Sequence, residues 1–246
     1  MSNETLIIAA VMVGGYLLGS TPFGVISMRL AGAGDPRNIG SGNIGATNVL
    51  RSGRKDLALL TLLGDGGKGA LAVLGAVLLT RNAPESTRHM MVALAAGSAF
   101  LGHLFPVFLR FRGGKGVSTF FGTLLAAAFP VGVAAAATWL VMALLFRISS
   151  LAALTAAALA PLFALLVFHS PHAIVLLTLF MGALIFVRHQ DNVRRIVKGE
   201  EPRIGGGRQP AEPPSPAPCR IAPPPSDGTG CGWRGPPASA RSPSGN

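Results

Sequence analysis

The sequence is short of charge. Only 13% of its 246 residues are Asp, Glu, Lys or Arg, whereas half are hydrophobic, and the mean hydropathy is +0.50. A soluble domain carries about 25% charged residues, because its surface has to face water. This shortage excludes a water-soluble globular protein. The abundance of apolar residues indicates instead an all-α, polytopic membrane protein.

Cysteine and acidic residues are also few, and each shortage excludes a kind of site. The two cysteines, Cys219 and Cys231, lie in a Pro/Gly-rich tail and have neither metal-binding nor redox spacing. The ten acidic residues form no cluster among the polar motifs, whereas a divalent metal site needs several carboxylate oxygens together. We therefore expect no metal ion and no cofactor. We also expect no nucleic-acid partner, because the net charge of +11 is better explained by membrane topology.

Long uncharged or nearly uncharged runs predict the membrane spans. They cover residues 5–28, 57–80, 89–109, 116–146 and 148–187, and a helical span needs about 20 apolar residues. Residues 116–146 are too many for one comfortable crossing, and Pro130 near the middle would break or kink a helix. The last run contains a polar break, residues 169–172, and is therefore a hairpin of two helices. The total is six or seven spans, depending on Pro130.

The placement of Lys and Arg favours seven spans. With seven spans and the N-terminus outside, eighteen of the 21 basic residues face the cytoplasm, only Arg81 and Arg88 lie outside, and Lys68 lies within a span. With six spans, Arg147 and the basic tail from Arg188 would lie outside, against the positive-inside rule. We therefore predict seven transmembrane helices, with the N-terminus outside and the C-terminus in the cytoplasm.

The composition changes near residue 205. Twelve of the nineteen prolines follow Glu201, together with many Gly and Ser residues. Such a segment buries too little apolar surface to offset the entropy lost on ordering. The predicted division is a membrane domain at residues 1–204 and a disordered cytoplasmic tail at residues 205–246, which catalysis does not need.

A glycine-rich polar motif fills the loop after the first span, on the predicted cytoplasmic face. Its glycines allow the backbone to expose N–H groups as an anion-binding nest, and its arginine can hold a phosphate through two N–H groups. A simple connector with a basic end would explain the glycines, but not the density of polar donors around them. The candidate site residues of this motif are Gly40, Ser41, Gly42, Asn43, Thr47, Asn48 and Arg51.

Two further motifs lie on the same predicted face. Residues 113–116, Gly-Gly-Lys-Gly, form a turn that enters a helix and offers free N–H groups, the positive end of a helix dipole and an ammonium group. This turn is not a Walker loop, because Leu109 and Gly116 occupy positions that need Gly and Ser or Thr. The other motif leaves the last span with a histidine and an asparagine on one helical face. Its arginines alone would fit a helix attracted to anionic lipid. The candidates are His103, Gly113, Gly114, Lys115, Gly116, His189 and Asn192.

In this order, from residue 19 to 205, the motifs resemble the acyl-phosphate:glycerol-3-phosphate acyltransferase family (PlsY) of bacteria. The likeness rests on residues 19–24, 40–51, 65–69, 102–116 and 188–192. It implies a seven-span protein of the bacterial inner membrane whose active site faces the cytoplasm. Such a protein transfers a fatty acyl group from acyl phosphate to the 1-hydroxyl of sn-glycerol 3-phosphate, giving lysophosphatidic acid and phosphate. The implied partners are these substrates, the lipid bilayer and the soluble enzyme that makes acyl phosphate.

The resemblance also implies roles for single residues. The family's site serine after the fifth span falls at Ser149 or Ser150, and Ser150 is the candidate for substrate binding. The remaining candidates of the three motifs are expected to bind substrate as well. Acyl phosphate is already activated, so positioning and oriented donors can supply much of the catalysis. The residues that fall on catalytic positions of the family are Ser41, Arg51, Lys115, His189 and Asn192.

Two other functions are open to such a sequence. In a transporter of a small phosphorylated solute, Asp65 and Lys68 would line the pathway, since charges within a span are often functional. The crowding of polar motifs on one face and the lack of paired half-helices disfavour this alternative. A metal-dependent phosphotransferase for lipid alcohols would need the cluster of aspartates that the sequence lacks.

Overall fold

A computed structural model describes residues 3–205, and the regular structure of this part of the chain is helical. Short 3-10 and π segments join or extend the α-helices. The predicted tail lies outside the described residues, apart from Gly205. The α-helices are α1 (Asn3–Ser20), α2 (Phe23–Leu30), α3 (Ala46–Leu50), α4 (Lys55–Leu79), α5 (Glu85–Leu104), α6 (Val117–Ala127), α7 (Phe129–Phe146), α8 (Ser149–Leu162), α9 (His172–Arg188) and α10 (Gln190–Val197).

Five helical segments are long and apolar enough to cross a membrane. The bent pair α9 and α10, with an angle of 63° between the two helices, makes a sixth if it counts as one span. This confirms a helical, multi-pass membrane protein. The predicted number of seven depends on α6, whose 11 residues extend for about 16 Å at 1.5 Å per residue. That number and the sides on which the termini lie stay predictions. The five segments are Thr5–Leu30, Lys55–Leu79, Glu85–Leu109, Phe129–Phe146 and Ser149–Val167.

Proline marks the breaks between helices. The predicted break at Pro130 is confirmed: Ala128 leaves the helical conformation (φ −150°, ψ 79°), and α7 begins with Pro130 in its first turn, where a missing N–H removes no helical hydrogen bond. The break before α9 is confirmed as well, since Pro171 precedes its first residue. The first span differs from the single helix expected at residues 5–28. Pro22, at φ −92° and ψ 80°, separates α1 from α2.

Glycines bring pairs of helix backbones into contact. A Cβ atom at Gly19 of α1 would lie 2.1 Å from the carbonyl oxygen of Ala99 in α5, and one at Gly122 of α6 would lie 2.0 Å from that of Gly66 in α4. Small residues allow such approaches, which are a common means of packing helices in membranes. These contacts hold α1 against α5 and α4 against α6.

A cluster of large apolar side chains joins α5, α6 and α9. Each of its main members is at most 1% exposed. Leu104 of this cluster is the last residue of α5, and Ile185 lies one turn before the end of α9. The cluster therefore sets the positions from which the second and third motifs start. The members are Phe100, Leu104, Phe120, Met181 and Ile185.

Candidate functional site

Asn48 organises the first motif from inside. Its side chain is 2% exposed, and Nδ2 donates hydrogen bonds to the carbonyl oxygens of Pro36 (2.7 Å), Ile39 (2.9 Å) and Asn43 (2.7 Å). Its Oδ1 accepts from the N–H (3.0 Å) and the hydroxyl (3.2 Å) of Ser41. The Asn48 amide therefore holds the backbone of this loop in place with hydrogen bonds that regular secondary structure would otherwise supply. Direct contact between Asn48 and substrate stays a prediction.

The surface of the first motif carries Ser41, Thr47 and Arg51, all of them exposed. Gly40 and Gly42 have φ values of +51° and +68°, which L side chains rarely adopt. A Cβ atom at Gly40 would lie 3.0 Å from Cδ of Arg51. The bare backbone at Gly40 therefore gives the Arg51 side chain room to lie across the loop.

The Gly-Gly-Lys-Gly turn is fastened to the helices on both sides of it. The N–H groups of Gly113 and Gly114 donate to the carbonyl oxygens of Leu104 (3.2 Å) and His103 (3.1 Å). Arg188, at the end of α9, donates through Nε to the carbonyl oxygen of Gly114 (3.2 Å) and through a terminal nitrogen to that of Gly113 (2.9 Å). The expectation of free N–H groups at these two glycines is therefore wrong. N–H groups for an anion have to come from Lys115, Gly116 and the first turn of α6.

Side chains from four parts of the chain meet beside this turn. Lys115 Nζ donates to Oδ1 of Asn192 in α10. Nδ2 of Asn192 donates to Oε1 of Glu201 at 2.5 Å, and the hydroxyl of Ser150, at the start of α8, donates to the same oxygen at 2.7 Å. Arg195 Nε donates to the other carboxylate oxygen of Glu201 at 2.7 Å. Three predicted site residues, Lys115, Ser150 and Asn192, are thus joined in one network, with Glu201 at its centre.

The charges around Lys115 show which loops share this space. The pKa of Lys115 is lowered to about 8, mainly by burial and also by the positive charges of Arg195 and Arg51, whereas Glu201 and Asp191 act in the opposite direction. Arg51 is therefore near enough to act electrostatically on Lys115, although the two residues come from different loops. Burial tends to raise the pKa of Glu201, but hydrogen bonds from Ser150, Asn192 and Arg195 outweigh it and keep this pKa below its usual range. The network therefore contains a carboxylate at neutral pH.

The two candidate histidines have different surroundings. His189 is 3% exposed, and its Nδ1 lies 2.8 Å from the carbonyl oxygen of Ile185. A carbonyl only accepts, so Nδ1 carries the proton and Nε2 of the neutral ring is left as an acceptor. The charges of Lys115 and Glu201 act on His189, which places it beside the network. His103 instead lies beneath the turn, where a Cβ atom at Gly114 would come within 2.3 Å of its Nε2.

A strap after α10 completes the site. The N–H of Ile204 donates to the carbonyl oxygen of Arg147 at 2.6 Å, and the Arg147 guanidinium donates to the carbonyl oxygen of Ile204 at 2.9 Å. These bonds tie the segment that carries Glu201 to the turn between α7 and α8, next to Ser150. They also explain why Ser150, the predicted one of the two serines, reaches the network.

Sequence reasoning missed three residues that hold the site together: Arg188, Arg195 and Glu201. The arginines were interpreted only as topology signals, as part of a helix attracted to anionic lipid and, for Arg188, as part of the family likeness. Glu201 was counted only among carboxylates too scattered to bind metal, although it is an acidic residue that follows a run of basic ones. Within residues 3–205, no three His, Cys, Asp or Glu side chains are grouped as a metal ion would need. The expectation of a metal-free site stays a prediction.

Comparison with known proteins gives a family match over most of the chain. The model of the family described as glycerol-3-phosphate acyltransferase matches residues 9–199. A glycerol-3-phosphate acyltransferase of Caulobacter vibrioides (strain NA1000 / CB15N) is 65% identical over 213 residues, which cover 87% of this chain and 94% of the relative. One of Rhodospirillum rubrum is 56% identical over 207 residues, which cover 84% of this chain and 95% of the relative.

Two solved structures share the fold. A crystal structure of PlsY, an integral membrane glycerol 3-phosphate acyltransferase, in its glycerol 3-phosphate form superposes with a TM-score of 0.74 at 36% identity, covering 80% of this chain and 96% of that one. The lysophosphatidic acid form gives a TM-score of 0.72 at 34% identity, covering 82% and 96%.

Proposed function

The chain belongs to the glycerol-3-phosphate acyltransferase family, and on that premise we propose that it transfers a fatty acyl group from acyl phosphate to the 1-hydroxyl of sn-glycerol 3-phosphate. The products are lysophosphatidic acid and phosphate. The observation that carries this proposal is the network that joins Lys115 and Arg195 to Asn192, Ser150 and Glu201, with Arg51 near enough to act electrostatically on Lys115. Both substrates carry phosphate, so a site for them needs several cations together.

The proposed chemistry uses positioned charges. The hydroxyl oxygen of glycerol 3-phosphate attacks the acyl carbonyl carbon, a C–O ester bond forms, and the bond to the phosphate oxygen breaks. The hydroxyl proton ends on the departing phosphate. Negative charge develops on the carbonyl oxygen and on the departing phosphate. The Lys115 ammonium and the N-terminus of α6 are positive groups fixed before the reaction, so they stabilise that charge without reorganising. Arg51 holds a substrate phosphate.

Asn192 and Glu201 orient the ammonium in this mechanism. Glu201 takes two hydrogen bonds from the Asn192 amide and the Ser150 hydroxyl, which leaves the Asn192 oxygen turned towards Lys115. His189, between α9 and α10, has Nε2 left as an acceptor, and we include His189 among the catalytic residues. Ser41, whose hydroxyl donates to Oδ1 of Asn48, presents its hydroxyl oxygen at the edge of the Arg51 loop as an acceptor.

We further propose seven spans in the bacterial inner membrane, with the site facing the cytoplasm. The support is the charge distribution: eighteen basic residues fall on one side in the seven-span arrangement. The break at Ala128 between α6 and α7 supplies the extra turn that seven spans need. A cytoplasmic site would receive acyl phosphate from a soluble enzyme that makes it.

The transporter alternative loses its main support. Asp65 and Lys68, the charges that would have lined a pathway, each have side chains 1% exposed and bond to one another at 2.8 Å. They are enclosed by packed helices instead of facing a channel.

The direct test uses the purified protein in lipid nanodiscs. Phosphate should be released from acyl phosphate only when glycerol 3-phosphate is present, in a one-to-one ratio with lysophosphatidic acid, and a chelator should leave the rate unchanged. Activity with acyl-CoA but none with acyl phosphate would refute the donor. Loss of activity in chelator that magnesium restores would refute the metal-free site.

A further inference from the structure

Three ionisable side chains lie buried below the Gly-Gly-Lys-Gly turn. Asp65 and Lys68 are one turn apart on α4, and His103 is near the end of α5; their side chains are 1%, 1% and 3% exposed. Lys68 Nζ donates to Asp65 Oδ1 at 2.8 Å and to the carbonyl oxygen of Thr21 at 2.7 Å. His103 Nδ1 lies 3.6 Å from Asp65 Oδ1. We call these three residues the buried cluster.

Stability alone does not account for the buried cluster. Replacing a buried ion pair by apolar residues of similar volume is often neutral or stabilising. Among the described residues, Oδ2 of Asp65 and Nδ1 of His103 have no hydrogen-bond partner, which adds to the cost of burial. Charged groups within a span tend to be kept for function. The proposed reaction at Lys115 and Arg51 does not use these groups directly.

The buried cluster holds the Lys115 turn from both sides. The N–H of Gly114 donates to the carbonyl oxygen of His103 at 3.1 Å, and the imidazole lies so close that a Cβ atom at Gly114 would be 2.3 Å from Nε2. On the other side of Lys115, the hydroxyl of Thr119 in the first turn of α6 donates to the backbone carbonyl of Asp65 at 2.9 Å. Lys115 therefore lies between two residues fixed by the cluster.

The same cluster reaches the Arg51 loop. Thr21, which accepts from Lys68, lies at the break before α2. Gly24 of α2 is pressed against the first motif, since a Cβ atom there would lie 2.0 Å from the carbonyl oxygen of Ile44. Two short paths of direct contact thus lead from Lys68 and Asp65 to the two loops that carry the substrate-binding cations.

We propose that Asp65, Lys68 and His103 are positioning residues that fix the Lys115 turn relative to the Arg51 loop, so that both cations reach the same bound phosphates. The proposal rests on the function proposed above. A displacement of about 1 Å in a catalytic group can cost about a hundredfold in rate. The rate gained by a rigid common support for the two loops therefore explains why the free-energy cost of burying these charges is tolerated.

A double-mutant cycle tests this role. His103→Ala should lower kcat/KM by about ten- to a hundredfold when Lys115 is present, because the turn loses the imidazole that packs against Gly114 and faces Asp65, although the backbone hydrogen bond to Gly114 remains. In a Lys115→Ala background the same change should cost about twofold or less, because the group to be positioned is gone. The unfolding temperature should fall by the same amount in both backgrounds. Coupling in activity without coupling in stability is the signature of positioning.

Thr178→Val is the matched control. Thr178 is fully buried in α9, where its hydroxyl bonds to the Val175 carbonyl oxygen at 2.7 Å, and its effect should be the same with and without Lys115. If His103→Ala does not fold, Asp65→Asn, which keeps the shape and removes the charge, takes its place in the cycle. Equal losses in both backgrounds, or a folded variant with wild-type kcat/KM, would overturn the positioning role alone. Wild-type kinetics in Lys115→Ala itself would overturn the proposed site, and this proposal with it.

Discussion

Replacing Lys115 by alanine removes the one ammonium group that the structure places inside the site network. The side chain is half-buried, and its Nζ bonds to Asn192. A charge-assisted hydrogen bond to a desolvated phosphate contributes about 1.5–3 kcal/mol. Since 1.36 kcal/mol corresponds to a tenfold change in rate, we expect kcat/KM to fall by roughly ten- to a hundredfold for at least one substrate.

The assay follows lysophosphatidic acid formation while each substrate is varied in turn. Arg194→Ala is the control, since this side chain is 75% exposed and pairs with Asp191 across the surface of α10; it should change kcat/KM by less than about twofold. Circular dichroism and the unfolding temperature show whether the variant is folded. A folded Lys115→Ala protein with near-normal kinetics for both substrates would refute the placement of the site.

Four further outcomes are expected, two from the site and two from the sequence. Because the pKa of Lys115 is lowered to about 8, mainly by burial, the ammonium is lost above that pH, so kcat/KM should fall as pH rises through about 8, and the Lys115→Ala protein should lack this limb. Arg51→Lys should recover little of the activity lost in Arg51→Ala, because an ammonium cannot reproduce a two-donor contact with phosphate; full recovery would exclude that contact. A cysteine near Asn192 should react only with reagents that enter the cytoplasm and one near Asn82 only from outside, and the reverse pattern would restore the six-span topology. Truncation after Gly207 should leave kcat/KM within about twofold of the full chain, and a truncated protein that inserts but does not turn over would show that the tail takes part.

Helix breaks could be predicted because their causes are local. Pro130 and the polar segment before α9 interrupt long apolar runs, and both breaks occur where the sequence indicates them. The break at Pro22 was missed, although its cause is also local, because hydropathy does not fall there: residues 5–28 stay uncharged on both sides of the proline. Length and charge define a span, but they do not show whether the span is one straight helix.

The hydrogen-bond partners in the site could not be predicted, because they are distant in the chain. The N–H groups of Gly113 and Gly114 were expected to be free, and they bond to carbonyl groups of the preceding helix because the chain folds back on itself. Glu201 contacts Ser150 across 51 positions of sequence. Residue type and spacing could indicate that Lys115, Asn192 and Ser150 belong to one site, but not that a carboxylate lies between them.

The position of Glu201 along the chain has a consequence for biosynthesis. The carboxylate that joins Ser150 and Asn192 follows every helix of the membrane domain. Membrane proteins are made from the N-terminus at about 5–20 residues per second, so the helices are synthesised while the central contact of the site is still inside the ribosome. Ser150 and Asn192 therefore stay unjoined by this carboxylate until the residues after α10 have left the ribosome.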